Sequence, residues 1–429
     1  MKKIYILAVA AASTLPAFAQ NTLTSAQYKE KVIGYSNQIK KSAEQMDAAA
    51  YNTKSAKTGF LPSVSATGSY NHQFNAAPLS FGPTAIDLKP NAYDLNVGVV
   101  QNIYAGGAVR NQVKIAKSQE EVYALAKSQT IEGVVYQAEA SYWTTSAYGE
   151  MRDAMKQYVS IVEKLATIIT NRFDFGAASK KDQLMVDTRL KEAQLSLSVA
   201  EKNYEISLQN LNILMGVDPN AVVAALDSID IAMAVPEYAS FDSVLTNRPD
   251  FRIAEKNIAI QEYATKATLA KFYPQLVAGV KETWGTQSIN INGDTRFNTI
   301  AYAQLNVPIF NWFQRSKERS KNMALTRSLE SQKAIVVDNA RSELTNAVTS
   351  LRQSFDQISV AKANLDYAAQ SLDINTYSYE QGRIPILDVL SAQLSWIQAY
   401  TNTINAYLQN KIAIASYNKA LGNLSQQQP

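Results

Sequence analysis

Two hydrophobic rhythms alternate along the chain. In the longest stretches apolar residues recur every three or four positions, as in Val109, Val113, Ala116 and later Ile131, Val134, Val135, Ala138. That spacing lays one apolar stripe along a helix. A single helix from Ala108 to Arg172 would be roughly 95 Å long at 1.5 Å per residue. Many facing positions are Ala or Ser, which suits closely packed, coiled-coil-like helices rather than a thick oily core. Elsewhere the period falls to two. From Ser63 to Phe74 the odd positions are small or polar, and the even ones are apolar, aromatic or Gly, apart from His72. Tyr93, Leu95, Val97 and Val99 alternate with Asp94, Asn96 and Gly98. A second pair, Leu276 to Trp284 and Phe297 to Val307, is joined across Asn292-Gly293-Asp294. Each pair predicts a β-hairpin of roughly 10–12-residue strands, long enough to cross a bilayer when tilted. The first hairpin holds Pro78, Pro83 and Pro90 in its loop.

The pattern occurs twice. Tyr104 and Phe310, Gly176 and Gly382, Asp182 and Asp388, and Gly216 and Gly422 are each 206 residues apart. An earlier pair, Pro62 and Pro274, is offset by 212, so the first copy carries a longer insertion between its proline and the end of its hairpin. The resulting plan is a first repeat over 20–220, with a hairpin at 62–103 and a helical tip near 176. A connecting segment at 221–245 follows. The second repeat covers 246–429, with a hairpin at 274–309 and a tip near 382. Such a unit is far longer than solenoid periods.

Composition narrows the picture. Only 16 Gly and 12 Pro occur in 429 residues, and residues 91–218 and 309–384 hold no proline at all. Very long uninterrupted elements are therefore expected in place of the three globular domains that length alone would suggest. No Cys excludes disulfide scaffolds, zinc–thiolate sites, thiol nucleophiles and a lipid-modified N-terminal Cys. His72 is the one histidine, so His-based metal sites and catalytic triads have little to work with, and a structural role is expected for it. No phosphate loop, GxSxG elbow or metal spacing is found, so neither a cofactor nor an enzyme is expected.

Lys2 and Lys3, the apolar run Ile4 to Leu15, and Ala17-Phe18-Ala19 follow the order of a secretory signal peptide, cut after residue 19. Loss of those two lysines lowers the formal net charge from +4 to +2, which gives no reason to expect nucleic acid as a partner. No later segment approaches 18 consecutive apolar residues.

Aromatic residues gather where strands meet helices: Phe60, Tyr104, Phe272 with Tyr273, and Phe310 with Trp312 and Phe313. An interfacial girdle has this appearance, and so has the edge of a soluble sheet packed on helices. If the strands do cross lipid, four are too few, because the smallest membrane barrels need about eight. Unpaired edges are forbidden in hydrocarbon, so several copies would have to share one barrel.

Each long helix is interrupted once, at Phe175-Gly176-Ala177-Ala178 and at Gly382-Arg383-Ile384-Pro385, giving hairpin tips. Asp182 follows Ser179 at capping-box spacing, and Asp388 falls in a first helical turn where the dipole favours an acid. In an oligomeric tube the same acids would form a ring that favours cations. Both readings stand on the sequence.

At these residues the chain resembles the TolC-like outer-membrane efflux protein family. The resemblance is carried by Arg248-Pro249-Asp250 with Ala254-Glu255, by Phe272-Tyr273-Pro274, by Val307-Pro308-Ile309-Phe310-Asn311, and by Gly382 through Asp388 to Gln393. It implies an α+β membrane protein, a homotrimer whose twelve-stranded β-barrel in the outer membrane continues as a twelve-helix α-barrel through the periplasm of a Gram-negative cell. It further implies a periplasmic adaptor at the tips and an inner-membrane pump of RND or ABC type. Asp182, Tyr379 and Asp388 match the family's periplasmic constriction, with Arg383 beside them; the family's gating Arg falls on Ile384 and a second acidic position on Ser391. Phe175, Gly176, Ala177, Ala178, Gly382, Arg383 and Ile384 are the expected adaptor-contacting tips. The function implied is a passive exit duct with a gated periplasmic end. A soluble periplasmic coiled-coil scaffold is the competing reading.

Overall fold

The computed structural model describes residues 22–75, 78–231, 239–286 and 293–422. The leader expected at residues 1–19, and residue 292 of the second hairpin's turn, lie outside them. The described residues are mostly helical, with a small sheet. In chain order they form α1 (Ser25–Tyr35), α2 (Asn37–Thr58), β1 (Ser63–His72), β2 (Leu79–Phe81), β3 (Thr84–Ile86), β4 (Asn91–Ala105), α3 (Ala108–Asp174) and α4 (Lys180–Met215). Then come α5 (Phe241–Asn247), α6 (Pro249–Leu269), a 3-10 turn at Ala270–Phe272, β5 (Gln275–Thr286), β6 (Thr295–Asn306), α7 (Gln314–Glu380) and α8 (Ile386–Ala420). α3 and α7 are each 67 residues long. Neither contains a proline, and proline is the residue that most strongly breaks such runs.

Two compact units can be distinguished, and each draws on both halves of the sequence. One contains α2, α5, α6, the first parts of α3 and α7, and the sheet. Its four strands run antiparallel in the order β1-β4-β5-β6. The register stacks Val64, Ala66, Gly68 and Tyr70 of β1 against Val99, Val97, Leu95 and Tyr93 of β4. Val280 and Trp284 of β5 continue two of these rows to Ala301 and Phe297 of β6, while the Val97 row passes to Glu282, which accepts from Thr299 Oγ1 of β6. One face is therefore largely apolar, as a period-two pattern requires. The other carries a hydrogen-bonded chain across three strands: Ser69 Oγ to Asp94 Oδ1 (2.9 Å), Asn96 Nδ2 to Asp94 Oδ2 (2.5 Å) and Thr283 Oγ1 to Asn96 Oδ1 (2.7 Å). Both edge strands, β1 and β6, are exposed along their whole length. His72 ends β1, exposed, with Nδ1 2.7 Å from Asn91 Oδ1 and its ring edge-on to Phe74.

The loop expected between β1 and β4 contains structure of its own, the short β2–β3 pair. Gly82 supplies a φ of +68° at its turn, and Pro83 follows where a fixed φ near −65° is wanted. Arg248-Pro249-Asp250 starts α6. Pro249 takes the first helical position, and the buried Arg248 binds Asp250 (2.8 Å) and Glu343 (2.7 Å) through Nη2.

The second unit is helical: α1, the rest of α3 and α7, α4 and α8. A buried tyrosine stitches its ends together. Tyr142 Oη donates to Leu23 O (2.6 Å) and accepts from Asp227 N (2.8 Å), and Tyr28 packs against its ring. Lys411 is buried too; its Nζ donates to Ile231 O and sits 4.4 Å above the Trp143 ring. α4 and α7 leave apolar rows outward. Leu195, Val199, Ile206 and Ile213 are exposed on α4, and Val360, Tyr367 and Ile374 lie seven residues apart on α7. Rows of that spacing suit packing against another helix.

Candidate gate at the helical tips

The two tips are built alike in their backbone. α3 ends with Gly176 at φ +72°, Gly176 N bonding Phe173 O (2.9 Å) and Ala177 N bonding Arg172 O (2.7 Å). α7 ends with Gly382 at φ +71°, Gly382 N bonding Tyr379 O (2.8 Å) and Arg383 N bonding Ser378 O (2.9 Å). Both are Schellman motifs, which need a left-handed residue and so favour Gly.

Their side chains diverge. In the first tip Ser179 caps α4: its Oγ accepts from Asp182 N (3.1 Å), while Asp182 Oδ2 accepts from Ser179 N (3.2 Å) and Ser179 Oγ (2.8 Å). The capping box suggested by the spacing is thus formed, with Asp in the usual Glu place. Asp388 also lies in a first helical turn, but it is exposed, and among the described residues its carboxylate has no hydrogen-bond or ion-pair partner. Arg383 is exposed as well.

Tyr379 is buried in a cluster with Leu165, Ile169, Val186, Ile386, Val389 and Leu390, against which Ala178 and Ile384 pack half-buried. Its phenol is pushed above the usual tyrosine range mainly by burial; Arg172 opposes the shift and Asp182 adds to it. Arg172 is the residue the sequence reading missed. Its guanidinium lies 5.0 Å over the Tyr379 ring, and Nη1 donates to Tyr379 O (2.8 Å). One side chain thus ties the end of α3 to the last turn of α7, where a cation also complements the helix dipole. The signal for it was slight: a basic residue in the last turn of α3, which reads first as a partner for its own helix.

Arg172 and Tyr379 are therefore in contact within one chain, Asp182 is held by Ser179, and Asp388 and Arg383 are exposed. Phe175 is 88% exposed, and Gly176, Ala177 and Gly382 are exposed with it. Beside the tips, an open groove of about 420 Å³ is lined by Lys164, Ile168, Leu372, Tyr377 and Gln393. Gln393 is buried, and among the described residues its Oε1 has no hydrogen-bond partner. No helix among the described residues is long and apolar enough to cross a membrane.

A four-stranded open sheet thus accompanies two 67-residue helices in this chain. The family model "Outer membrane efflux protein" matches the chain twice, at residues 30–217 and 241–423. The chain belongs to this family, whose members are passive outer-membrane channels rather than enzymes and work with adaptor and inner-membrane pump partners. It is similar to nodulation protein T of Rhizobium leguminosarum bv. trifolii, 20% identical over 95% of this chain and 86% of that one. Its fold is similar to that of the outer membrane protein VceC from Vibrio cholerae, with TM-score 0.79 and 14% identity over 93% and 96% of the two chains. It is also similar to a membrane protein from Pseudomonas aeruginosa, with TM-score 0.81 and 17% identity over 92% and 90%.

Proposed function

We propose that three copies of this chain close into one channel, a twelve-stranded barrel in the outer membrane continued by a twelve-helix tunnel in the periplasm. The observation that carries this reading is the open sheet. Both edge strands are exposed and one face is largely apolar, a combination that lipid tolerates only when the edges are paired. The exposed rows on α4 and α7 supply the matching helical seams. The channel is a passive exit duct, the outer component of a tripartite pump or a type I secretion system. Its tips, from Phe175 to Ala178 and Gly382 to Ile384, receive a periplasmic adaptor, which joins it to an RND or ABC pump in the inner membrane. Asp182, Tyr379, Arg383 and Asp388, with Arg172, form its periplasmic gate.

Native mass spectrometry of the detergent-extracted outer-membrane protein tests the assembly, and conductance in planar bilayers tests the duct. A trimer with a small resting conductance is expected. A monomer recovered in the periplasmic wash would overturn the reading.

A further inference from the structure

The turns that flank the strands are closed by a glycine junction at one place in the chain and not at another. Ahead of α3 lie Gly106 and Gly107, at φ +61° and +87°. Gly106 presses on the 3-10 turn before β5: a Cβ there would collide with the Ala270 carbonyl and come within 3.1 Å of Tyr273 Cβ. The positions 206 residues on, ahead of α7, are Trp312 and Phe313. They keep the same left-handed backbone, at φ +45° and +59°, although side chains disfavour it. The turn opposite also has a counterpart. Tyr273 N bonds Ala270 O (3.1 Å) before β5, and 212 residues earlier Leu61 N bonds Thr58 O (2.8 Å) before β1. Val109 packs on Gly59 of this second turn and Gln101 Nε2 donates to Phe60 O (3.1 Å), but among the described residues no glycine pair closes on it, and Phe60 and Leu61 are exposed (52% and 63%). Trp312 and Phe313 are exposed too (82% and 73%), with both rings edge-on to Phe310.

We infer that Trp312 and Phe313 of one copy dock on the Thr58–Leu61 turn of a second copy of this chain. The inference rests on the trimer proposed above and names one of its contacts. Within the chain, β4 leads into the Gly106 junction and pairs with β5, whose turn that junction fills. Pairing β6 of one copy with β1 of the next brings the remaining junction to the remaining turn in the same antiparallel sense. Because Trp312 carries a side chain where Gly106 has none, the backbones cannot approach as closely. The contact is made by rings on Phe60 and Leu61, and narrow junctions within chains alternate with wide junctions between them around the barrel base.

A chain without cysteine makes the test direct. The full-length L61C/W312C variant, and F60C/F313C as a second pair in case the first perturbs folding, are oxidised in detergent. A ladder of covalent dimers and trimers that collapses on reduction is expected, with no ladder from the single variants. A trimer by native mass spectrometry that yields no ladder from either pair would overturn the contact and leave the trimer standing. Strong quenching of fluorophore-labelled W312C by nitroxide lipids would do the same, placing the rings in lipid. A monomer would overturn both.

Discussion

The two helical tips share a backbone and differ in what holds their side chains. Gly176 and Gly382 close equivalent Schellman turns. Asp182, 206 residues from Asp388, uses its carboxylate to cap α4, whereas the Asp388 carboxylate is exposed and has no partner among the described residues. Phe173 and Tyr379 occupy equivalent positions too. Lys180 lies 5.4 Å over the Phe173 ring, and Arg172 crosses from the other tip to cover Tyr379. Sequence-equivalent acids thus do unequal work. The first tip is held by its own local bonds, and the second is held from outside, by an arginine of the first. A link of the second kind can be cut without melting either helix, which is what a gate requires.

Substitutions can break or sharpen this contrast. The largest effect is expected from Tyr379→Ala, which empties a buried site and should cost about 3 kcal/mol in denaturant unfolding while raising single-channel conductance. Unchanged conductance would remove Tyr379 from the closed state. Arg172→Ala should cost about 1–2 kcal/mol through the lost carbonyl bond and ring contact. It should also speed amide exchange at the second tip more than at the first; equal acceleration of both would deny the cross-tip link. Ser179→Ala removes the cap and should cost about 1 kcal/mol, with exchange rising only in the first turn of α4. Asp388→Ala should leave stability within about 0.5 kcal/mol and weaken block by multivalent cations. An unaltered block constant would give the carboxylate to the helix dipole instead.

Alkaline pH offers a further separation. The folded-state pKa of Tyr379 is raised, so the phenol's contribution is complete below the unfolded pKa of about 10 and is lost as pH rises through the folded value. Phe173 has no proton to lose. Once rates are normalised for base-catalysed exchange, protection at the second tip should therefore fall more than at the first above pH 10, and Tyr379→Phe should abolish the difference. Tyr28, pushed up to about 12 by burial, makes the helical unit as a whole follow the same direction in that range.

Much of this could be read from the residues alone. The long helices followed from apolar spacing and missing prolines, the strands from a period of two, and the tips from Gly176 and Gly382. Ser179 and Asp182 announced their capping box because its partners stand three residues apart. What escaped depends on distance or on cost. Arg172 and Tyr379 are 207 residues apart, and nothing local tells an arginine which helix end it will cover. Trp312 and Phe313 take a conformation that side chains pay roughly 1–2 kcal/mol per residue to adopt, so propensity argues against the very turn they form. The β2–β3 pair is three residues per strand, too short for periodicity to show.

The exposed edges of β1 and β6 carry a kinetic consequence. A lone copy presents two rows of unsatisfied N–H and C=O groups, and any extended segment nearby can pair with them. The correct partner is simply the strand that arrives first with the right register. For the proposed trimer, assembly is then a race between second-order encounter of like chains and pairing with whatever else is unfolded. Its outcome is set by how fast copies are delivered rather than by how stable the finished sheet is.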